Sequence, residues 1–300
     1  MTSRIEVVRQ SNALGAEICG VDLSKPLGNQ AWDAIHRAFV EHQVIVLRAQ
    51  TITPHQELTF ASRFGEPHDY PFAEGLPECP KVMPVIKEPH EKINFGNQWH
   101  SDTSYLLEPP VATVLYSKDM PAQGGDTLFS NMYLAYDALS EGMKAMLDTM
   151  LAVNSATVLS HERDQYASVK VKNAERQQQT EAAHPVVRVH PDTGRKGLFV
   201  NETHTSHFKD MTPEESKPLL QFLFRHVTRP EFIFRLRWEK GTIAVWDNRC
   251  TQHYAINDYH GQRRVMHRVT VGGGRPFGEA NLQGPLPVPQ NEALRAGARA

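Results

Sequence analysis

The chain has 300 residues, 40% of them hydrophobic, with 32 basic and 34 acidic side chains and a net charge of −2. That composition supplies a sizeable core and excludes a global field that would draw nucleic acid or an anionic membrane surface. No apolar h-region opens the chain, and no uninterrupted apolar run approaches the ~18 residues of a membrane helix, so neither secretion nor membrane insertion is expected.

Residues 1–28 read as short strands and turns. Trp32, Ile35, Phe39 and Val40 recur at helical spacing and predict a helix over roughly 30–41. Val44-Ile45-Val46-Leu47 is an apolar run of strand length, expected to be buried on both faces. Thr53-Pro54-His55-Gln56 is a helix start: Thr53 caps, Pro54 suits the first helical position and Gln56 completes a capping box. Residues 66–97 are rich in proline, glycine and charge and read as a loop. Val111 to Tyr116 reads as a strand, and Gly124-Gly125 as a turn that delivers Thr127 to the start of the next strand. Met143, Met146, Leu147, Met150 and Leu151 form a stripe after Ser140, read as a core-facing helix. From Glu162 to Glu181 the chain is charged with weak periodicity, and a lid insertion is expected around 160–182. Thr212-Pro213-Glu214-Glu215 is a second capping box. Phe232, Phe234, Leu236 and Trp238 alternate with Ile233, Arg235 and Arg237 as a half-buried strand. Two further strands follow, Thr242 to Trp246 and Val265 to Gly272. The Pro, Ala, Arg and Gln composition after Gly274 predicts a poorly ordered tail over 276–300. The fold class is therefore mainly β with flanking helices, in one domain over 1–275.

Three cysteines, Cys19, Cys79 and Cys250, are odd in number and lack metal spacing. A reducing cytoplasm suits them, and it also suits an enzyme that keeps iron ferrous. The chemistry concentrates in Gln98-Trp99-His100-Ser101-Asp102-Thr103 and in His253. If 98–103 is extended, His100 and Asp102 point to one face and can reach one ion. Two histidines and one carboxylate on one face of a metal suit a non-haem Fe(II) oxygenase. H-x-D alone is common by chance; its weight comes from the flanks, Trp246-Asp247-Asn248-Arg249-Cys250-Thr251-Gln252-His253-Tyr254 and Gln262-Arg263-Arg264-Val265-Met266-His267-Arg268. In a strand over 262–270, Arg264, Met266 and Arg268 share a face, with the two arginines about 13 Å apart. Buried guanidinium groups need anions, either internal acids or a bound carboxylate or sulfonate. Arg263 and His267 fall on the other face. Trp99 and Trp246 read as core residues, and Asn201 fits either a pocket wall or a local turn.

These segments resemble the taurine and aryloxyalkanoate dioxygenase family, which uses Fe(II) and 2-oxoglutarate. Gly124-Gly125-Asp126-Thr127-Leu128, His184-Pro185-Val186-Val187-Arg188, Leu198-Phe199-Val200-Asn201-Glu202 and the early Leu14-Gly15-Ala16-Glu17-Ile18 also look like family segments, so the likeness runs from about residue 5 to 275. It implies a double-stranded β-helix, or jelly-roll, core. It implies His100, Asp102 and His253 as iron ligands, with 2-oxoglutarate taking two of the open positions and dioxygen the last. It also implies Arg264 and Thr127 on the distal carboxylate of 2-oxoglutarate, and Arg268 on the anionic group of a small organic substrate. The family couples oxidative decarboxylation of 2-oxoglutarate, giving succinate and carbon dioxide, to hydroxylation of a substrate C–H. Related halogenases lack the carboxylate ligand, so Asp102 predicts hydroxylation.

Departures from the family pattern bear on the substrate. Tyr70 stands where taurine enzymes carry a histidine, and Phe95 and Gly96 stand where they read an amine. A phenyl ring and a glycine offer an ammonium no carboxylate, yet they accommodate apolar bulk. Thr103 and His204 complete the expected substrate pocket. Ser168-Val169-Lys170-Val171 and Gly194-Arg195-Lys196-Gly197-Leu198 also look like the aryloxyalkanoate branch, so the resemblance places aryloxyalkanoates first, with alkyl sulfates or alkylsulfonates second and taurine behind. A zinc hydrolase would use the same three ligands but has no need of Arg264 and Thr127; a non-catalytic ligand-binding jelly-roll would not keep an intact triad. Homo-oligomerisation stays open.

Overall fold

The computed structural model describes residues 5–70, 73–156 and 181–281. Its strands are β1 (Glu6–Arg9), β2 (Ala16–Cys19), β3 (Val44–Leu47), β4 (Pro67–His68), β5 (Met83–Lys87), β6 (Ala112–Asp119), β7 (Thr127–Asn131), β8 (Leu151–Ser155), β9 (Glu181–Pro185), β10 (Val187–Val189), β11 (Lys196–Leu198), β12 (Thr205–Phe208), β13 (Ile233–Leu236), β14 (Ile243–Asp247), β15 (Thr251–Ala255) and β16 (Arg264–Val271). Five α-helices accompany them among the described residues: α1 (Asn29–His42), α2 (Pro54–Ala61), α3 (Met132–Asp137), α4 (Glu141–Leu147) and α5 (Pro213–Val227). The chain is mainly β, as its patterning predicts.

The large sheet runs β1-β2-β3-β14-β6-β16-β4, with β5 also paired to β16, and a smaller one runs β13-β7-β15. Residue parity decides what each face of the large sheet meets. Ile45, Leu47, Val114, Tyr116, Ile243, Val245, Val269 and Val271 pack with Ile35, Phe39 and Phe60 of α1 and α2 in one apolar cluster. Val44, Val46, Leu115, Ala244, Trp246 and Met266 point the other way and pack with Phe129, Phe234, Leu236 and Trp238 in a second cluster, which joins the two sheets. The run at 44–47 is thus buried on both faces because helices cover one side and a sheet covers the other. A third cluster gathers α3, α5 and strands β8, β10 and β11 around Leu147, Phe208 and Leu223.

Local chemistry explains the helix starts. Thr53 with Gln56, and Thr212 with Glu215, form reciprocal capping boxes with proline in the first turn. α4 begins at Ser140, whose hydroxyl accepts from the Met143 N–H. It ends at Leu147, so the expected stripe is cut short: Met146 is exposed and Leu151 opens β8. The predicted 66–97 loop also needs correcting, because 83–87 forms β5 against β16. Met83, Val85 and Lys87 are buried and alternate with half-buried Pro84 and Ile86; proline and lysine in this short strand masked the period. At the far end, Phe277 accepts a hydrogen bond from Val189 and a short 3₁₀ turn spans Glu279–Asn281. Residues 276–281 are therefore packed onto β10 rather than free. The expected lid lies outside the described residues up to 180, and Glu181 and Ala182 open β9. No described helix is long and apolar enough to cross a membrane.

Buried histidines give the fold a pH signature. His184 is 1% exposed, and its Nε2 lies 2.9 Å from the Leu106 carbonyl. Burial holds its pKa down at about 4. An unfolded chain would protonate this ring near pH 6.5, whereas the folded chain refuses the proton down to about 4, so stability is lost as pH falls through that window. His184→Gln should flatten the slope of unfolding free energy against pH there by close to one proton, or about 1.4 kcal/mol per pH unit, in urea titrations between pH 4 and 6.5.

Candidate active site

The candidate metal ligands come from both sides of the cavity between the sheets. His253 lies on β15, whose partner β7 places it opposite Phe129. His100 joins it through a two-residue bridge: the His100 N–H donates to the His253 carbonyl at 3.0 Å and the His253 N–H returns to His100 at 2.8 Å. That bridge sets the ring centroids 4.1 Å apart. It is the only ladder contact that segment 98–103 makes among the described residues, so the expected strand is absent. Residues 102–105 form a turn, with Thr103 in the left-handed region at φ 44°. The turn, not strand alternation, returns Asp102 toward the imidazoles.

Asp102 Oδ1 lies 3.7 Å from His100 Nε2 and 3.8 Å from His253 Nε2. His100 Nδ1 is 2.7 Å from the Gln98 carbonyl, which assigns the proton to Nδ1 and leaves Nε2 its lone pair. Burial holds both imidazoles below the usual histidine range, so both are neutral. Burial alone would raise the Asp102 carboxyl; the charge of Arg268 and the hydrogen bond from Thr113 work against it and keep the group ionised. Two neutral imidazoles and a carboxylate, with donor atoms within 4.8 Å of one another, fit a divalent cation.

The other Asp102 oxygen is occupied by the protein. Thr113 on β6 donates its hydroxyl to Oδ2 at 2.6 Å, and Trp246 Nε1–H donates at 3.2 Å. Asn248 supports both donors: its Nδ2 donates to Thr113 Oγ1 at 3.0 Å and its Oδ1 accepts from Trp246 at 3.0 Å. Thr113 is fully buried, and with a lone pair taken by Asn248 its proton is directed at Asp102. Oδ1 alone is left facing the histidines. None of Thr113, Trp246 and Asn248 was identifiable from the sequence as a partner of Asp102, because such roles follow from tertiary contact.

The cavity beside these ligands is bounded by Val85, Phe95, Gly96, Leu115, Thr127, Trp246, Ala255, Arg264 and Arg268 besides the three candidate ligands. Gly96 has φ +82°, and a Cβ there would stand 3.2 Å from His100 Cε1; the glycine is required by conformation and by closeness to the imidazole. Arg264 and Arg268 are buried on one face of β16, as the sequence predicts, while Arg263 reaches Glu88 and Asp119 on the outside. Arg264 Nε and Nη2 have no hydrogen-bond partner in the protein. Thr127 Oγ1 accepts from Trp238 Nε1 at 2.9 Å, which leaves its O–H to donate elsewhere. Arg268 Nη2 lies 2.6 Å from Asp102 Oδ1 as an ion pair, with its guanidinium 5.1 Å from the Tyr70 ring and 5.8 Å from the Phe95 ring.

Some expected residues lie elsewhere. Tyr70 lines a neighbouring pocket on the other side of Arg268, with His68, Lys81 and Met83. Thr103 and His204 are buried but do not bound the main cavity; the turn carries Thr103 away, and the His204 ring packs 5.0 Å from that of Tyr105. Asn201 holds a local turn, accepting from the His204 N–H. Trp99 is half-exposed against Tyr254 rather than in the core. A second cluster, His190, Asp247 and Cys250, is an ion-paired brace: Asp247 is gripped by Arg249 at 2.7 and 2.8 Å and lies 3.0 Å from His190 Nε2. Both Asp247 oxygens are taken by protein partners, Oδ1 by the Arg249 N–H and Nε–H and Oδ2 by Arg249 Nη2 and His190, and the brace fixes the turn that leads into β15.

Fold and donor set define a class: a mainly β protein with a candidate mononuclear centre of the kind found in non-haem Fe(II) oxygenases. Residues 6–270 match the family model described as taurine catabolism dioxygenase TauD, TfdA family, and the chain belongs to that family. It is a 2-oxoglutarate-dependent non-haem iron dioxygenase, with Fe(II) as cofactor and 2-oxoglutarate and dioxygen as cosubstrates. An α-ketoglutarate-dependent sulfate ester dioxygenase of Pseudomonas putida is 36% identical over 285 residues, 91% of each chain. An alkylsulfatase of Acinetobacter baylyi is 32% identical over 97% of this chain and 92% of its own. A 2,4-dichlorophenoxyacetate dioxygenase of Cupriavidus pinatubonensis is 32% identical over 84% and 92%. A structure described as a taurine dioxygenase from Burkholderia xenovorans superposes with a TM-score of 0.78 at 33% identity, over 91% of this chain and 93% of that one.

Removing the Thr113 hydroxyl tests the support of Asp102. Thr113→Val keeps the shape and should weaken Fe(II) or Co(II) binding about 10- to 100-fold, while Thr113→Ser retains it. The check is anaerobic metal titration, with circular dichroism to establish that both variants fold.

Proposed function

We propose that His100, Asp102 and His253 hold the iron, that Arg264 and Thr127 hold the distal carboxylate of 2-oxoglutarate, and that Arg268 holds the anionic group of the substrate. The observation that carries this reading is one cavity wall, β16, with two buried arginines beside a His-Asp-His set. The facing sheets, joined by one apolar cluster, are read as a double-stranded β-helix core within one domain over 1–275. Iron, when bound, activates dioxygen in a reaction that also converts 2-oxoglutarate to succinate and carbon dioxide. The protein's part is placement and dryness. Arg264 offers unpaired N–H donors in a buried fork, and Thr127 offers a hydroxyl already oriented by Trp238. Phe95, Val85, Leu115 and Ala255 exclude water from the substrate carbon. Tyr70 and Phe95 flank the Arg268 guanidinium and hold its plane.

The substrate is read as a small organic anion with an apolar body, hydroxylated at a carbon near the anionic group. Sulfate esters lead, because two relatives matched over more than nine-tenths of this chain carry sulfate-ester or alkylsulfatase names. Aryloxyalkanoates, placed first from the sequence, are the second reading and are favoured by the dichlorophenoxyacetate relative. Either collapses after hydroxylation to a carbonyl compound and a leaving group. Taurine comes last, since Phe95 and Gly96 provide no acceptor for its ammonium.

A panel of hexyl sulfate, phenoxypropionate and taurine, assayed for substrate-dependent succinate, tests the order. Hexyl sulfate is expected to give the highest kcat/KM and taurine the lowest; preference for taurine would contradict the reading. Arg264→Leu should raise the KM for 2-oxoglutarate by at least tenfold, the loss of one charge-assisted fork. An unchanged KM would place the carboxylate clamp elsewhere.

A further inference from the structure

The inner face of β5 holds a charge that the reading above leaves unused. Across the β5–β16 pair, Met83 opposes Arg268, Val85 opposes Met266 and Lys87 opposes Arg264. Directly opposed residues of an antiparallel pair share a face with Cβ atoms roughly 4.5–5.5 Å apart. Lys87 and Arg264 are therefore neighbouring cations on one face of the pair: Arg264 bounds the cavity, and Lys87 stands beside it, behind the bounding residues. Both are buried, at 3% and 4% exposure. Opposed like charges destabilise a sheet, and a buried ammonium is costly without a partner.

Lys87 Nζ has no hydrogen-bond partner in the protein and rests 4.5 Å from the Tyr259 ring centroid. Arg264 Nε and Nη2 are in the same condition. Tyr259 is buried beside both cations, and a Cβ at Gly125 would meet its ring at 3.3 Å and Arg264 Cδ at 3.5 Å. Tyr259 shares a hydrogen bond with the Arg264 guanidinium and Asp126 favours that charge through space, but the nearby carboxylates are themselves engaged by other donors. Asp126 Oδ2 takes Arg235 Nε–H at 2.6 Å, Asp258 Oδ1 takes the Gly125 N–H at 2.7 Å and Glu91 Oε2 takes the Glu88 N–H at 2.6 Å. Burial pulls the Lys87 pKa below the usual lysine value, countered only in part by Glu91 acting through space.

We propose that Lys87, buried behind the cavity wall beside Arg264, is a second cation whose charge helps draw the distal carboxylate of 2-oxoglutarate to Arg264. The proposal rests on the assignment of Arg264 to that carboxylate. It makes Lys87 a determinant of cosubstrate selectivity: it favours a 2-oxo dicarboxylate over a 2-oxo monocarboxylate. It also accounts for two buried cations being tolerated on one face, since a carboxylate at Arg264 supplies the missing counter-charge.

The test uses Lys87→Met, which keeps the apolar stem, with Lys87→Gln in parallel in case the first variant fails to fold. Fe(II)-loaded protein is titrated anaerobically with 2-oxoglutarate, and separately with 2-oxopentanoate, which has no distal carboxylate. Binding is followed by the metal-to-ligand charge-transfer absorption. Affinity for 2-oxoglutarate should fall about tenfold, as for loss of one nearby charge at intermediate dielectric, with metal affinity and 2-oxopentanoate affinity unchanged. Unchanged 2-oxoglutarate affinity beside a sharp loss in Arg264→Leu would overturn the role of Lys87 and leave that of Arg264 standing. Unchanged affinity in both would overturn the Arg264 assignment as well. Equal loss for both oxo acids would show that Lys87 only shapes the wall, and would also overturn the proposal.

Discussion

The structure turns on one buried carboxylate. Asp102 is 2% exposed and ionised, a state that isolated burial forbids. It persists because neighbouring groups converge on it: Thr113 and Trp246 on Oδ2, and Arg268 with the two imidazoles around Oδ1. These groups come from β6, β14, β15, β16 and the turn after His100, so the two-sheet architecture is what gathers them. Removing a sheet strand would leave a charge stranded in the core. The division of labour between the two oxygens is also the division between scaffold and site.

Arg268 ties that carboxylate to the aromatic end of the cavity. Its guanidinium contacts the same oxygen that faces the histidines, and its flanks lie against Tyr70 and Phe95. Arg264, four residues earlier on β16, is in no such close ion pair and leaves Nε and Nη2 without a hydrogen-bond partner. The two arginines look alike in sequence, yet only one is held by a carboxylate of the protein.

Much of this was readable from the sequence, for identifiable reasons. Alternation in 264–268 follows from the pleat, so the facing of Arg264 and Arg268 was fixed by parity alone. Capping boxes at Thr53 and Thr212 are local chemistry and appear as read. The approach of His100 and Asp102 was expected for the wrong reason: a turn with a left-handed Thr103 replaces the strand. β5 was missed because Pro84 and Lys87 disguise its period, and its inward lysine is tolerable only in the tertiary setting around Arg264. Thr113, Asn248 and Trp238 act through contacts between residues distant in sequence, which no spacing rule reports. Thr103 and His204 were taken for pocket residues on proximity in sequence or type, and the turn and the Tyr105 packing place them outside the cavity wall.

The most direct measurement is an anaerobic titration of the native chain and of Asp102→Ala with Fe(II) in the presence of 2-oxoglutarate, followed by the charge-transfer absorption of the complex. The account predicts saturation at one Fe(II) per chain for the native protein and no saturable absorption for Asp102→Ala, with both proteins folded. Equal stoichiometry and equal affinity in the variant would contradict it.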